Sequence, residues 1–338
     1  MLVSLYIWRR KRKYRLLSKC ILLLLIVIIL IPIALYIFTE ETHEMLIEGD
    51  TIRVQLLLHE SGKVIELGLE EYVVGVVAAE MPASFPLEAL KAQAVAARTY
   101  AVKRIQIPDP RITRINNKAV LSPDSAINQA YISVEEMKSR WCKRSYLTYK
   151  NKITQAVSET KGEVLLYEGN LIDPVYHSSC GGCGTEDSEN VWKYEIPYLR
   201  SVPCNNHPEG NKEAINIFKL SKLNALMGIQ SRAVSHTSSN QRIIKILEKT
   251  ASGRITTLLV SGQEVSGAEL RSKLSLPSTI LNWVIEKDEI KFISRGYGHG
   301  VGMCQYGAAS LAKEGKDYGG ILKHYYQGVN LALVKGRE

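Results

Sequence analysis

The strongest pattern in the chain is an apolar run near its start. Ile21 to Phe38 reads ILLLLIVIILIPIALYIF, eighteen residues without a charge. With Cys20 and Leu16–Leu17 beside it, this stretch is long enough to span a hydrocarbon core of about 30 Å, and Pro32 is tolerable because membrane helices accommodate proline. Residues 39–50 are polar and acidic and read as a linker. Beyond them the pattern is that of a folded domain. Ile52–Leu58 and Val64–Leu67 have strand composition on either side of Ser61-Gly62-Lys63, which predicts a hairpin. Leu69 to Met81 reads as a helix with an apolar stripe, closed by Met81-Pro82 because the residue before proline avoids the helical region. A second helix is expected over about 85–104, with Ser84 as N-cap, Pro86 in the first turn, and six alanines between Ala89 and Ala101.

Residues 105–130 are rich in Pro, Asn and Ser and read as a long loop, and 131–150 as another helix. Two short strand-like runs, 162–167 and 171–176, lead into a loop dense in glycine and cysteine. Residues 210–290 read as a mixed α/β insertion, with strands at 242–247 and 254–260 around Ser252-Gly253 and a helix from Ala268. A helix pair is expected over 306–326. The order of elements is that of an α+β domain with short antiparallel sheets, since the regular βαβ alternation of a doubly wound sheet is missing.

Charge adds the topology. The net charge is +9, but residues 1–20 hold seven basic groups and no acid; removing those seven from the 43 basic residues leaves 36 against 34 acids. The basic balance is therefore a tail and gives no reason to expect nucleic-acid binding. Seven basic residues on the N-terminal side of the apolar run place that end in the cytoplasm. The expected organisation is a cytoplasmic tail (1–20), a transmembrane anchor (21–38), a linker (39–50) and an extracytoplasmic region (51–335). A cleaved signal peptide is the alternative, although Leu35-Tyr36-Ile37-Phe38 offers no small residues for cleavage.

Three places could carry chemistry. Glu80 ends the apolar helix in Val76-Val77-Ala78-Ala79-Glu80-Met81-Pro82. There it opposes the helix dipole and is partly desolvated, and both effects raise a carboxyl pKa toward what a general acid needs. The second place is Tyr176-His177-Ser178-Ser179-Cys180-Gly181-Gly182-Cys183-Gly184-Thr185-Glu186, and the third is the glycine loop Gly296-Tyr297-Gly298-His299-Gly300-Val301-Gly302-Met303-Cys304-Gln305. The third is unlike the phosphate-binding fingerprints because it has no Gly-Lys-Ser/Thr. On the second helix Lys91 and Arg98 are seven apart and share a face. Cys180, Cys183, Cys204 and His207 form C-x2-C-x20-C-x2-H, which fits a structural zinc site. Outside the cytoplasm, a disulfide from Cys180 or Cys183 to Cys204 fits as well. Nucleophilic catalysis by Cys180 with His177 would need an orienting third group, and none is visible.

Glu71–Pro82 (EYVVGVVAAEMP) followed by Ala89–Tyr100 (ALKAQAVAARTY) resembles the signature of the SpoIID/LytB family. The His177-Ser178 loop, Pro197–Val202 (PYLRSV) and Gly298-His299-Gly300 match in order, so the resemblance covers roughly residues 50–335. It implies a peptidoglycan lytic transglycosylase that cleaves N-acetylmuramic acid–N-acetylglucosamine links in denuded glycan strands during forespore engulfment. It also implies partnership with the amidase SpoIIP and the membrane protein SpoIIM. The family's catalytic glutamate maps onto Glu80. Lys91, Arg98, His177, Ser178, His299 and Gln305 are the implied substrate contacts, and no cofactor is needed for the chemistry. Some clostridial relatives carry a zinc-binding C-x4-H-C-Q segment; the comparable Ser122–Gln129 has neither Cys nor His. Cys304 stands where many relatives have serine, which argues against a nucleophile there. Three rival readings remain: a glycan-binding scaffold that recruits an amidase, a metal-dependent amidase or peptidase using His177, and plain hydrolysis with Glu186 or Asp187 as a second carboxylate.

Overall fold

The computed structural model describes residues 52–58, 61–204, 207–210, 213–228 and 243–334. The expected tail, anchor and linker at 1–50 lie outside the described residues. Among the described residues no helix is long and apolar enough to cross a membrane.

The hairpin forms as expected, with β1 (Arg53–Leu58) antiparallel to β2 (Lys63–Gly68). Helix α1 (Leu69–Glu80) follows at once and buries Tyr72, Val73, Val76 and Val77. Helix α2 (Leu87–Gln106) is the centre of the domain. Ala89, Ala92, Ala94, Ala96, Ala97 and Ala101 are all fully buried, because α2 is surrounded rather than laid on a surface. It packs against α1, α5 (Lys143–Glu159), β3 (Glu163–Tyr167) and the two last helices, α9 (Gln305–Lys313) and α10 (Tyr318–Tyr325). Small side chains allow five neighbours to approach one backbone. The N-cap of α2 is Pro86, without a side-chain hydrogen bond, and not Ser84.

The loop 107–133 contains one short helix, α3 (Pro110–Thr113), capped by Asp109. The helix expected at 131–150 is two helices. The first, α4 (Val134–Arg140), starts with a Ser133/Glu136 capping box, and α5 follows a break at Trp141 and Cys142, both extended. The break leaves Arg140 free to donate to Ala78 O (3.1 Å) at the end of α1.

Strand β3 pairs antiparallel with β4 (Asn170–Leu171) and with β13 (Asn330–Leu333). The one departure from antiparallel pairing within the described sheets is β5 (Tyr176–His177), which runs parallel to β12 (Met303–Cys304) with His177 opposite Cys304. That pairing fastens the His177 loop to the glycine loop. After the short helix α6 (Ser188–Trp192), the stretch 213–295 carries β6 (Glu213–Lys219), α7 (Leu220–Met227), β7 (Ile244–Lys249), β8 (Ile255–Val260), β9 (Gln263–Ser266), α8 (Gly267–Leu274), β10 (Leu281–Glu286) and β11 (Glu289–Arg295). Its sheets are ordered β10-β11-β6 and β7-β8-β9. It has its own apolar cluster around Leu223, Leu258, Leu270, Ile290 and Phe292. The whole is α+β with short sheets, as its sequence pattern predicts.

Candidate functional site

Glu80 sits half-buried at the last turn of α1. The Ala130 N–H donates to its Oε1 at 2.6 Å, and the Tyr176 hydroxyl also bonds the carboxylate. Burial raises the carboxyl above its ordinary value, and these two hydrogen bonds pull in the opposite direction without cancelling it. The Arg140 guanidinium on the α1 carbonyls offsets the negative helix end beneath Glu80.

Around the carboxyl lies a polar chain buried under apolar side chains. The Tyr176 hydroxyl donates to Gln129 Oε1 (3.1 Å), and Gln129 Nε2 donates to Tyr72 Oη (3.2 Å) and Ala97 O (3.1 Å). The Gln129 amide is thus fixed at both ends. A tyrosine hydroxyl has one proton to give. When Glu80 is ionised, Tyr176 can donate to it; when Glu80 is protonated, Tyr176 can accept from it and donate to Gln129. The site therefore accommodates both protonation states of one carboxyl without moving a residue. Burial holds the Tyr176 phenol well above its ordinary value, so it stays a donor.

The loop that delivers Ala130 and Gln129 crosses α1 at Gly75. A Cβ there would lie 2.2 Å from the Tyr131 ring and 2.8 Å from Ile132 O. A mid-helix glycine costs about 1 kcal/mol against alanine, and the close crossing is its reason. Gly75→Ala should lower stability by about 1–3 kcal/mol through overpacking and lift Ala130 off Glu80. Calorimetric Tm should fall accordingly; an unchanged Tm would show that the loop gives way freely.

The two histidines sit on the far side of Tyr176. His299 Nε2 meets the Tyr176 carbonyl (3.0 Å) and its Nδ1 accepts from the Val301 N–H (3.2 Å), which fixes a neutral ring. Burial lowers its pKa to about 4. His177 donates from Nδ1 to Val301 O (3.1 Å), and its buried Nε2 has no hydrogen-bond partner among the described residues. Its pKa is well below the ordinary imidazole value because it is buried, with His299 and Arg254 nearby. The two rings lie 5.6 Å apart, and Trp192 stands 5.4 Å from His299. His299 also lines a cavity of about 580 Å³ shared with Glu186, Asn190, Arg254, Glu269 and Arg271.

The other expected contacts are placed differently. Gln305 is buried and donates to Gln93 Oε1 (3.2 Å). Ser178 is half-buried, and its carbonyl accepts from the Tyr306 N–H (3.1 Å). Lys91 bridges Glu88 (2.7 Å) and Glu159 (2.6 Å). Arg98 has no exposed surface; its Nε donates to Glu70 Oε1 (2.8 Å), and its Nη groups reach Glu70 Oε2 and the Glu163 and Val157 carbonyls. Arg98 thus ties α1 and α2 to β3 and the end of α5, away from Glu80. Glu186 is buried, with its oxygens taken by Thr250, Ser252 and Asn190. Asp187 accepts from the Ser201 N–H (2.7 Å). Neither acid is a loose carboxylate available as a second catalytic group.

The cysteines regroup. Cys180, Cys204, His207 and Cys304 are all buried, with their ligand atoms within 4.8 Å of one another. Cys183, expected in that set, instead points its Sγ at Arg295 Nη2 (2.7 Å). The reason is the parallel β5–β12 pair, which draws Cys304 to the Cys180 side. All five described cysteines are free, so neither of the expected disulfides forms.

Sequence reading singled out Glu80, His177 and His299 as candidates; it gave no role to Ala130, Gln129 or Tyr176, which the structure places on or next to the Glu80 carboxyl. Tyr176 stood at the edge of a quoted loop. Ala130 acts through its backbone, which leaves no residue-type signal.

Among the described residues, these features place one half-buried, hydrogen-bonded carboxyl, Glu80, on a helix-centred α+β scaffold. The sequence profile described as SpoIID, stage II sporulation protein, matches residues 58–167. Stage II sporulation protein D of Bacillus subtilis is 38% identical over 78% of this chain and 74% of its own length. That of Bacillus amyloliquefaciens is 37% identical with the same coverage. The amidase enhancer of B. subtilis is 30% identical over 76% of this chain and 40% of its own length. The chain belongs to the stage II sporulation protein D family.

Proposed function

We propose that the chain is a peptidoglycan lytic transglycosylase in which Glu80 is the lone acid and base. The observation that carries this reading is the Glu80 carboxyl, raised by burial and held by Ala130 and Tyr176 in a way that suits both protonation states. As the acid, Glu80 gives its proton to the glycosidic oxygen, and the C1–O bond breaks toward an oxocarbenium ion. As the carboxylate, it takes the proton of the muramic acid 6-hydroxyl while that oxygen closes on C1. The product is a 1,6-anhydro ring. Hydrolytic glycosidases use two carboxylates because water must be activated or a glycosyl-enzyme formed. Here the attacking oxygen belongs to the substrate and is already positioned, so one carboxyl is enough. The neutral ring of His299, with Trp192 beside it and His177 packed behind it, offers a polar and aromatic wall for the sugar, and the cavity beside His299 offers room for further residues of the strand.

The expected setting is the outer face of a membrane, with 21–38 as anchor, where the glycan is found. The work would be engulfment during sporulation, with SpoIIP and SpoIIM as partners. Mass spectrometry of products from denuded glycan strands tests the chemistry. Anhydro-terminated fragments, one water lighter than the hydrolytic ones, are expected; reducing ends or released stem peptides would overturn the reading. The likeness to an amidase enhancer favours one second reading, a scaffold that binds glycan and activates an amidase without cutting. Binding without any cleavage product would support that one.

A further inference from the structure

We infer that Cys180, Cys204, His207 and Cys304 form a structural zinc site that fastens the His177 loop to the start of α9. Three separate stretches of chain converge here. Cys180 follows β5, Cys204 and His207 precede β6, and Cys304 ends β12. The His207 Nε2 lies 3.1, 3.3 and 3.6 Å from the sulfurs of Cys180, Cys204 and Cys304. A tetrahedral zinc with Zn–S near 2.3 Å and Zn–N near 2.0–2.1 Å has S···N edges of about 3.6 Å. The three N···S edges are therefore at or slightly below those such an ion needs, and all four donor atoms lie within 4.8 Å of one another. Buried thiols alone behave as small apolar groups and give no reason for an imidazole nitrogen to point at three of them. Three soft thiolates and one imidazole are a donor set for zinc.

The surroundings fit the charged form of the site. Cys304 Sγ accepts the N–H groups of Cys180 (3.3 Å) and Gly307 (3.4 Å), and Cys204 Sγ contacts the Tyr325 hydroxyl (3.2 Å). Such outer hydrogen bonds orient and hold ligating thiolates. Gly307 leaves room for this: a Cβ there would stand 2.3 Å from Cys204 Sγ. Zinc with three thiolates carries one net negative charge, and a buried cation lies beside it. Arg254 is 2% exposed, donates to Cys180 O (3.2 Å) and has its Nε 3.8 Å from the Glu186 carboxylate, so its charge is shared between that acid and the thiolate cluster. A cavity of about 140 Å³ lined by Pro203, Cys204, His207, His324 and Tyr325 gives a route in. Binding would displace the three thiol protons to solvent.

The site would hold the loop bearing His177 against the helix bearing Gln305, so it would shape the glycan groove without touching the reaction. The test uses the full-length chain in detergent, purified without added metal, with elemental analysis and thiol titration. One zinc per chain is expected. Cys183→Ser should keep it, whereas Cys304→Ser should lose most of it. Because Cys304→Ser could misfold, chelator-treated wild type is also titrated with cobalt(II). One equivalent should give thiolate charge-transfer and tetrahedral bands that zinc abolishes. Overturning results are a wild type without zinc or a cobalt spectrum, a pair of thiols consumed as a disulfide, or metal lost in Cys183→Ser and kept in Cys304→Ser.

Discussion

Glu80→Gln is expected to abolish formation of anhydro products from denuded strands while leaving strand binding intact. A positioned acid or base contributes about 10²–10⁴-fold, and Glu80 would serve as both, so the loss should fall at the upper end. The isosteric amide keeps an acceptor for Ala130 N–H, and binding should survive. The pH profile carries a second signature. Burial raises the Glu80 pKa above its ordinary 4.5, so wild-type cleavage should decline as pH rises through that raised value. Tyr176→Phe removes a hydrogen bond that lowers the Glu80 pKa, so the decline should move to higher pH as the maximum rate drops. The stability that this carboxyl contributes should fall over the same pH range. A carboxyl whose pKa is raised by folding stabilises the native state below its unfolded value, and that contribution is lost as pH rises through the folded value. Glutamine cannot ionise. The Tm of Glu80→Gln should therefore gain on wild type as pH rises from 4.5 upward. Full cleavage by Glu80→Gln would remove Glu80 from the mechanism.

Arg98→Met is expected to be the most destabilising single change in the core. It would leave the Glu70 carboxylate, 2% exposed, without the guanidinium that bonds it twice. Removing one partner of a buried pair costs about 3–5 kcal/mol, which in a domain of this size is a drop in Tm on the order of 10 °C. The double change Glu70→Met/Arg98→Met should recover part of that loss, because it also removes the buried carboxylate that has lost its guanidinium. Arg98→Lys should fall between, since an ammonium cannot supply the two-pronged contact. The same variants distinguish two roles. A residue that ties α1 and α2 to β3 lowers Tm and spares the activity of the folded fraction. A residue that contacts glycan, as the family resemblance implies, would cut kcat/KM at unchanged Tm.

Much of the scaffold was legible in the sequence, and for local reasons. The β1–β2 hairpin follows from alternating composition around Ser61-Gly62, and α1 from its apolar stripe and the Met81-Pro82 stop. Glu80 stood out because it is an acid at the end of an apolar helix. Lys91 and Arg98 share a helical face in sequence, yet Arg98 is enclosed and Lys91 is held by two carboxylates. A run of alanines does not say which side of a helix is covered, and α2 is covered all round.

The cysteines show the same limit. C-x2-C spacing draws attention to Cys183, because proximity in sequence is what a motif records. The parallel β5–β12 pair, a contact between distant segments, puts Cys304 there instead. By itself the sequence determined the periodic elements, the odd carboxyl at Glu80 and the family, since each is written in residue types over short spans. Only the tertiary structure decided what surrounds that carboxyl. The Ala130 N–H, the Tyr176 hydroxyl and the Gln129 amide meet Glu80 through long-range packing, where the crossing at Gly75 and the pairing of β5 set distances that no local pattern encodes.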